Sequence, residues 1–393
     1  MIYNFDEVFD RYHTSAIKYD FKKERGKPDD VLPLWVADMD FKSADVILKA
    51  LSERLDHGIL GYSDMDADYF DALKKWFGKR FDWTVSKEWL ISTPTIVFAI
   101  FAAVRAFTAP GEHILIQEPT YPPFLKSITD NDRVPVINPL LSRDGKYSID
   151  FDDFEKKIVE KNVKLFILCS PHNPVGRVWT ESELTRIGTI CVKHGVTIVS
   201  DEIHADFTTP GYNHYVLSNL SPDFEAITVT CTSPTKSFNL AGLQISNIFI
   251  PNPTLRKAFA KQVALTGHSH PNIMAIEACK AAYTNGEPWL EAVKSYIYEN
   301  YLYVEAYLKA NLPQITCTPL EGTYLLWIDF SSLGFESDRA LDDFVTNEAK
   351  LWLNSGSSFG AGGKNHMRMN IACPRSVLNQ ALTQLKEAIH RRL

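Results

Sequence analysis

The sequence predicts an α/β protein: a large domain built on a mostly parallel central sheet, with a smaller α+β domain beside it. Three observations carry this. The runs 163–169, 196–200 and 226–231 are short, apolar or β-branched and closed by turn formers, as buried strands of a parallel sheet are. Strand-like and helix-like stretches alternate from about residue 44 to about residue 284, the pattern of repeated βαβ units. Asn285-Gly-Glu-Pro288 then breaks the alternation. Residues 46–285 are therefore read as the large domain, and residues 1–45 with 286–393 as the small one.

In chain order, the first informative element is the apolar run 96–107, opened by Thr93-Pro-Thr95. Capping residues before such a run mark a helix start, which offers free backbone N–H groups to an anion. The amides of Thr95, Ile96 and Val97 form a candidate phosphate cradle. The strand-like 113–117 leads into Glu118-Pro-Thr-Tyr-Pro-Pro123 and brings Tyr121 to the sheet edge, where its ring can stack on a flat ligand. The run 163–169 ends at Ser170-Pro-His-Asn-Pro174, and 196–200 ends at Asp201-Glu-Ile-His204. The run 226–231 leads to a tight polar turn, Ser233-Pro-Thr-Lys-Ser-Phe-Asn-Leu-Ala-Gly242. Asn173, Asp201 and Lys236 thus stand just past the carboxyl ends of strands, the edge where open α/β sheets bind ligands.

These groups share the chemistry of pyridoxal 5'-phosphate (PLP). A lysine at a strand end beside small hydroxyl residues loses its proton readily and condenses with an aldehyde, which makes Lys236 the candidate Schiff-base lysine. Asp201 suits the pyridine nitrogen, because a buried carboxylate keeps the ring protonated and able to accept the electrons of a carbanion. Asn173 suits the phenolic oxygen. His204 is read as a partner supporting the aspartate. Beyond residue 285, a long polar helix over 289–312, strands over 323–330 and 367–372 and a closing helix over 377–392 make up the small domain. Gly356, Gly360, Gly362 and Gly363 read as a flexible loop before Arg368, and no G-x-G-x-x-G joins a strand to a helix.

A wider likeness rests on segments spread from residue 32 to residue 376. They are Leu32-Pro-Leu-Trp-Val-Ala-Asp-Met-Asp-Phe41, Gly61-Tyr-Ser63, Tyr121-Pro-Pro123, Ser170-Pro-His-Asn-Pro-Val-Gly176, Ser200-Asp-Glu-Ile-His204, Ser233 through Gln244, and Met367-Arg-Met-Asn-Ile-Ala-Cys-Pro-Arg-Ser376. With them the chain resembles the fold-type I PLP-dependent enzymes of the class I/II aminotransferase superfamily, and within it the MalY/PatB branch of cystathionine β-lyases. The resemblance implies α,β-elimination of cystathionine or cysteine-type amino acids to pyruvate, ammonia and a thiol. It gives Lys236, Asp201, Asn173 and Tyr121 the roles already read from their positions. It implies further that Arg368 binds the substrate carboxylate, that Tyr324 lies near the substrate and that Ser233 helps hold the phosphate. Tyr62 would reach the phosphate of a neighbouring subunit, making an obligate homodimer with shared sites. Many aminotransferases carry a phosphate-binding arginine several residues after the lysine; here the segment reads Ala241-Gly-Leu-Gln244, as in the lyase branch. Tyr19 stands where that branch usually has tryptophan. An aminotransferase of the same superfamily, or a PLP-fold protein with an added regulatory binding role, are the alternatives.

Composition agrees. With 393 residues and 45% hydrophobic content the chain buries a large core, and its net charge of −7 argues against nucleic acid or an anionic membrane surface as a partner. The acidic start has no signal-peptide core, and no apolar stretch reaches membrane-spanning length. The six cysteines contain no C-x-x-C pair, and the eleven histidines show no metal-ligand spacing, so reduced thiols, a cytoplasmic location and no metal are expected.

Overall fold

Seven strands form the central sheet, in the spatial order Leu90–Thr93, Ser246–Phe249, Thr228–Thr232, Thr197–Asp201, Leu165–Cys169, His113–Glu118, Val134–Pro139. The computed structural model describes residues 3–392. Ser246–Phe249 runs antiparallel to both of its neighbours, while the pairs from Thr228–Thr232 outward to Val134–Pro139 are all parallel. The sheet is therefore mostly parallel, as expected. Leu165–Cys169 and Thr228–Thr232 are buried along their whole length, because helices cover both faces. Alternation divides the side chains between two cores. Leu165, Ile167 and Cys169 pack with the helix Ile96–Phe107, whereas Phe166 and Leu168 pack with Phe151–Glu160 and Glu181–His194.

Local chemistry sets the helix starts that matter. Thr95 accepts from the Phe98 N–H and caps Ile96–Phe107, leaving the first amides of that helix free. Thr180 and Glu183 form a reciprocal capping box on Glu181–His194. Lys236 lies in a one-turn helix, Pro234–Ser237, where the sequence reads as a tight polar turn. Ser233 caps that turn and a proline occupies its first position, a strong local start signal. Asp201 is the last residue of its strand, one position earlier than the sequence places it.

A second, four-stranded antiparallel sheet has the order Thr316–Cys317, Leu325–Asp329, His366–Asn370, Asn354–Ser355. Leu32–Pro33 pairs with Leu351–Trp352 and ties the amino-terminal arm to this part of the chain. One core joins Tyr69, Trp76 and Phe238 to Trp289, Leu326 and Leu382, so it runs across position 285.

The glycine loop, read from sequence as flexible, is closely packed here. A Cβ on Gly363 would lie 1.8 Å from the Gly356 carbonyl oxygen, and one on Gly360 would lie 2.3 Å from the Glu118 carboxyl carbon. At Gly363 the contact is backbone on backbone and admits no side chain, whereas at Gly360 the neighbour is the movable Glu118 side chain and the φ of +107° is what favours glycine. All six cysteines are free, and Cys317 alone among them is not fully buried. Among the described residues no metal-ligand cluster occurs, and no helix is long and apolar enough to cross a membrane.

Candidate active site

The carboxyl edge of the central sheet holds a cavity of about 320 Å³. Lys236, Asp201, Asn173, His204, Tyr121, Thr95, Ile96 and Val97 all line it. Groups from five separate segments are thus brought to one place, because each segment leaves the same edge of a mostly parallel sheet.

Lys236 Nζ donates to the Ala37 carbonyl at 2.7 Å. Burial pushes its amine down to about 8, a shift opposed by Asp38 and deepened by Arg368. A larger share of uncharged amine is therefore present near neutral pH than for a solvated lysine. Asp201 is buried, accepts from the Ile203 N–H at 3.2 Å, and is pushed up to about 7 chiefly by that burial. A cationic ring nitrogen placed against it would pull it back down.

His204 departs from expectation. It lines the cavity, but its ring makes no hydrogen bond to Asp201, whose partner is the Ile203 amide, and its Nδ1 is buried without a partner. Burial lowers it to about 3, so the ring is neutral. The carboxylate next to Asp201, Glu202, turns away to His214 at 2.8 Å and to Ser200 at 2.8 Å. Ser233 also departs: its hydroxyl bonds the Ile245 carbonyl at 2.7 Å and caps Thr235, which occupies the cavity wall in its place. A capping hydroxyl is already committed to backbone groups and has little left for an anion.

Arg368 lies mid-strand and is buried. Its guanidinium donates to Asn173 Oδ1 at 2.9 Å, to the Trp35 carbonyl at 3.0 Å and to Asn354 Oδ1 at 2.6 Å, and it stacks over Phe359. Nε is buried without an acceptor. Burial lowers its pKa to about 10, which leaves it charged at neutral pH. Among the described residues it has no carboxylate partner, which leaves a buried cation with one idle N–H able to take an anion. Tyr324 is fully buried and donates to the Ala37 carbonyl at 3.0 Å, beside Lys236, without lining the cavity itself. Tyr62 is fully exposed, on the segment before Ala67–Phe81, and does not line this cavity within one chain.

Sequence reasoning assigned no role to Ala37, Asn354, Gln244 or Ser246, although Ala37, Gln244 and Ser246 line the cavity and Asn354 holds Arg368. It also missed a support beneath Lys236. The Ser237 hydroxyl bonds Asp206 Oδ2 at 2.5 Å, and Arg80 Nε pairs with Asp206 Oδ1 at 2.8 Å, all three groups being largely buried. The segments carrying Ala37, Ser237 and Gln244 had a visible signal, since 32–41 and 233–244 both carry the family likeness, while Asn354, Ser246, Asp206 and Arg80 had none. A cavity with a lysine amine of lowered pKa, a buried carboxylate, a free helix amino terminus and an aromatic wall fits PLP group by group.

The chain belongs to the aminotransferase class I and II family, whose model matches residues 29–385. It is 42% identical to cystathionine beta-lyase PatB of Bacillus subtilis over 98% of this chain and 100% of that protein. It is 32% identical to protein MalY of Escherichia coli over 99% of each. Among solved structures, cystalysin from Treponema denticola, which contains a pyridoxal 5'-phosphate cofactor, superposes with a TM-score of 0.96 at 37% identity, covering 100% of both chains.

Proposed function

We propose that this chain is a PLP-dependent carbon–sulfur β-lyase, which eliminates a thiol from cystathionine or cysteine-type amino acids and yields pyruvate and ammonia. The observation that carries the reading is the single cavity uniting Lys236, Asp201, Asn173 and the Thr95 helix start, with Arg368 bonded to Asn173, in a chain so similar to PatB. When bound, PLP supplies an electron sink for the substrate α-carbon.

The residues present serve that chemistry in distinct ways. Lys236 would hold the cofactor, and its free amine would then take the α-proton, a task suited to a base poised near neutrality. Asp201 would keep a ring nitrogen protonated, Asn173 would donate its amide N–H to a phenolic oxygen, and Tyr121 would cover the ring. The amides of Thr95, Ile96 and Val97 would receive the phosphate, with Thr235 and Gln244 nearby in the wall. Arg368 would take the substrate carboxylate on its idle N–H. The thiolate leaves with the C–S electron pair, and its low basicity lets it depart without a strong acid. The released enamine hydrolyses in water to pyruvate and ammonia.

The reading extends to a cytoplasmic homodimer in which Tyr62, with its ring free of this chain's own core, completes the partner's phosphate site. Mixing Tyr62→Phe with Lys236→Ala subunits should restore one working site per heterodimer; heterodimers that form without regaining activity would place Tyr62 outside the partner's site. For the reaction itself, purified holoenzyme given cystathionine should release pyruvate continuously with no added keto acid. A requirement for 2-oxoglutarate would make it an aminotransferase instead.

A further inference from the structure

The segment 35–41 meets the cavity at Ala37, and its backbone is unusually engaged. The carbonyls of Trp35, Val36, Ala37, Asp38, Met39 and Phe41 each accept a hydrogen bond from a side chain. The donors follow a pattern. Arg368 holds Trp35 and Lys236 holds Ala37, so the two functional cations are fixed two residues apart on one backbone. Each cation also has an asparagine shortly after it in sequence that grips the same segment. Asn370 Nδ2 donates to the Val36 and Asp38 carbonyls at 2.7 and 2.6 Å, flanking Ala37. Asn239 accepts from the Met39 N–H at 2.9 Å and donates to the Met39 and Phe41 carbonyls at 3.0 and 3.1 Å.

From outside, Arg11 bonds both Asp38 and Asp40, and the fully buried Lys18 pairs with Asp40 at 2.7 Å. Lysine loses much side-chain freedom and hydration when fully buried, so a structure keeps one there only where its charge is matched. Segment 35–41 is therefore clamped from the Lys236 turn, from the Arg368 strand and from the amino-terminal arm.

We propose that segment 35–41 is a gauge that sets the separation between the Lys236 amine and the Arg368 guanidinium, and that Asn239 and Asn370 are its positioning residues, one for each end. The proposal rests on the roles given to Lys236 and Arg368 above. A misplacement of about 1 Å can cost on the order of 100-fold in rate, so a clamp acting through backbone has leverage on chemistry. The two asparagines divide the effect, because Asn239 lies just past the one-turn helix of the proton-transfer group and Asn370 shares its strand with the carboxylate receptor.

The test is a kinetic split in folded holoenzyme. Asn239→Ala should lower kcat roughly 10-fold or more with KM within about threefold, and Asn370→Ala should raise KM about 10-fold with kcat nearly kept. Asn239→Asp preserves the acceptor for the Met39 N–H and removes both donors, so it should resemble Asn239→Ala; wild-type kinetics in that variant would overturn the role of the donors. A second readout needs no turnover. In the cofactor-free full-length chain at pH 8, acetylation of Lys236 followed by peptide mapping should run several-fold faster in Asn239→Ala, whose amine is loosened from Ala37, and unchanged in Asn370→Ala. Equal labelling rates in all three chains, or equal losses of kcat and KM in both variants, would overturn the gauge. A labelling difference in a protein that makes no pyruvate would leave the gauge standing and sink the lyase reading.

Discussion

At the end of the site where Asp201 and Lys236 line the cavity, each functional group sits within a few residues of a strand or helix terminus; at the Arg368 end, which lies outside the cavity wall behind Asn173, the guanidinium is met by Trp35, Asn173 and Asn354, from three distant parts of the chain. The first end is built by local chain geometry, since a parallel sheet delivers its strand ends to one edge. The second is built by tertiary packing of two sheets. Their responses to substitution should differ accordingly, with chemistry lost at the first end and recognition lost at the second.

The largest effect should come from Lys236→Ala, which removes both the cofactor's attachment point and the proton acceptor. Turnover should fall at least about 1000-fold. Borohydride reduction and peptide mapping of the parent should find the cofactor on Lys236, and a label on another lysine would dissolve the comparison at its first end. Asp201→Asn should keep the fold and lose on the order of 100-fold in kcat. Near-parental turnover there would mean that no ring nitrogen faces this carboxylate.

Recognition is probed next. Arg368→Lys retains charge but not the planar fork that reaches Asn173, Trp35 and Asn354 together, so KM should rise by roughly 10- to 100-fold while kcat changes less. A fall in kcat with unchanged KM would show that the two ends are not separable in this way.

Stability gives two finer tests. Lys236 has a folded pKa of about 8, below the 10.5 of a free lysine, so its burial costs the cofactor-free chain stability in full below about pH 8 and progressively less up to pH 10.5. Lys236→Met should therefore raise the denaturation midpoint of the cofactor-free chain at pH 7 and lose that advantage as pH climbs toward 10.5. An advantage that grew with pH would contradict the sign. Ser237→Ala should be smallest, about 2 kcal/mol from the lost bond to the buried Asp206 carboxylate, seen as a drop in melting temperature.

How much of this was legible follows from the same division. The helix over 96–107 could be read residue for residue, because Thr95 caps it and an apolar run fills it. The cluster of Lys236, Asp201 and Asn173 was legible because strand-end residues of a parallel sheet must converge. What sequence could not show is which hydroxyls and amides are already spent. Ser233 looks free in sequence and is committed to Ile245, His204 looks paired with Asp201 and is not, and Asn354 sits in a two-residue strand with no local signal of its task. The glycines near Arg368 resemble a flexible linker by composition, yet the backbone contact between Gly356 and Gly363 is what requires glycine there.

The buried cysteines have a consequence for an enzyme that releases thiols. Disulfide exchange and oxidation run through thiolates that reagents can reach, and Cys169 stands in the cavity wall itself, where product sulfur would pass. Burial beside Asp201 raises its pKa strongly, so it stays protonated and a poor nucleophile. Burial likewise raises Cys191, Cys231, Cys279 and Cys373. Among the described residues, the five buried cysteines are thus shielded from exchange with a released thiol or its disulfide, and half-buried Cys317 is the one left within a reagent's reach.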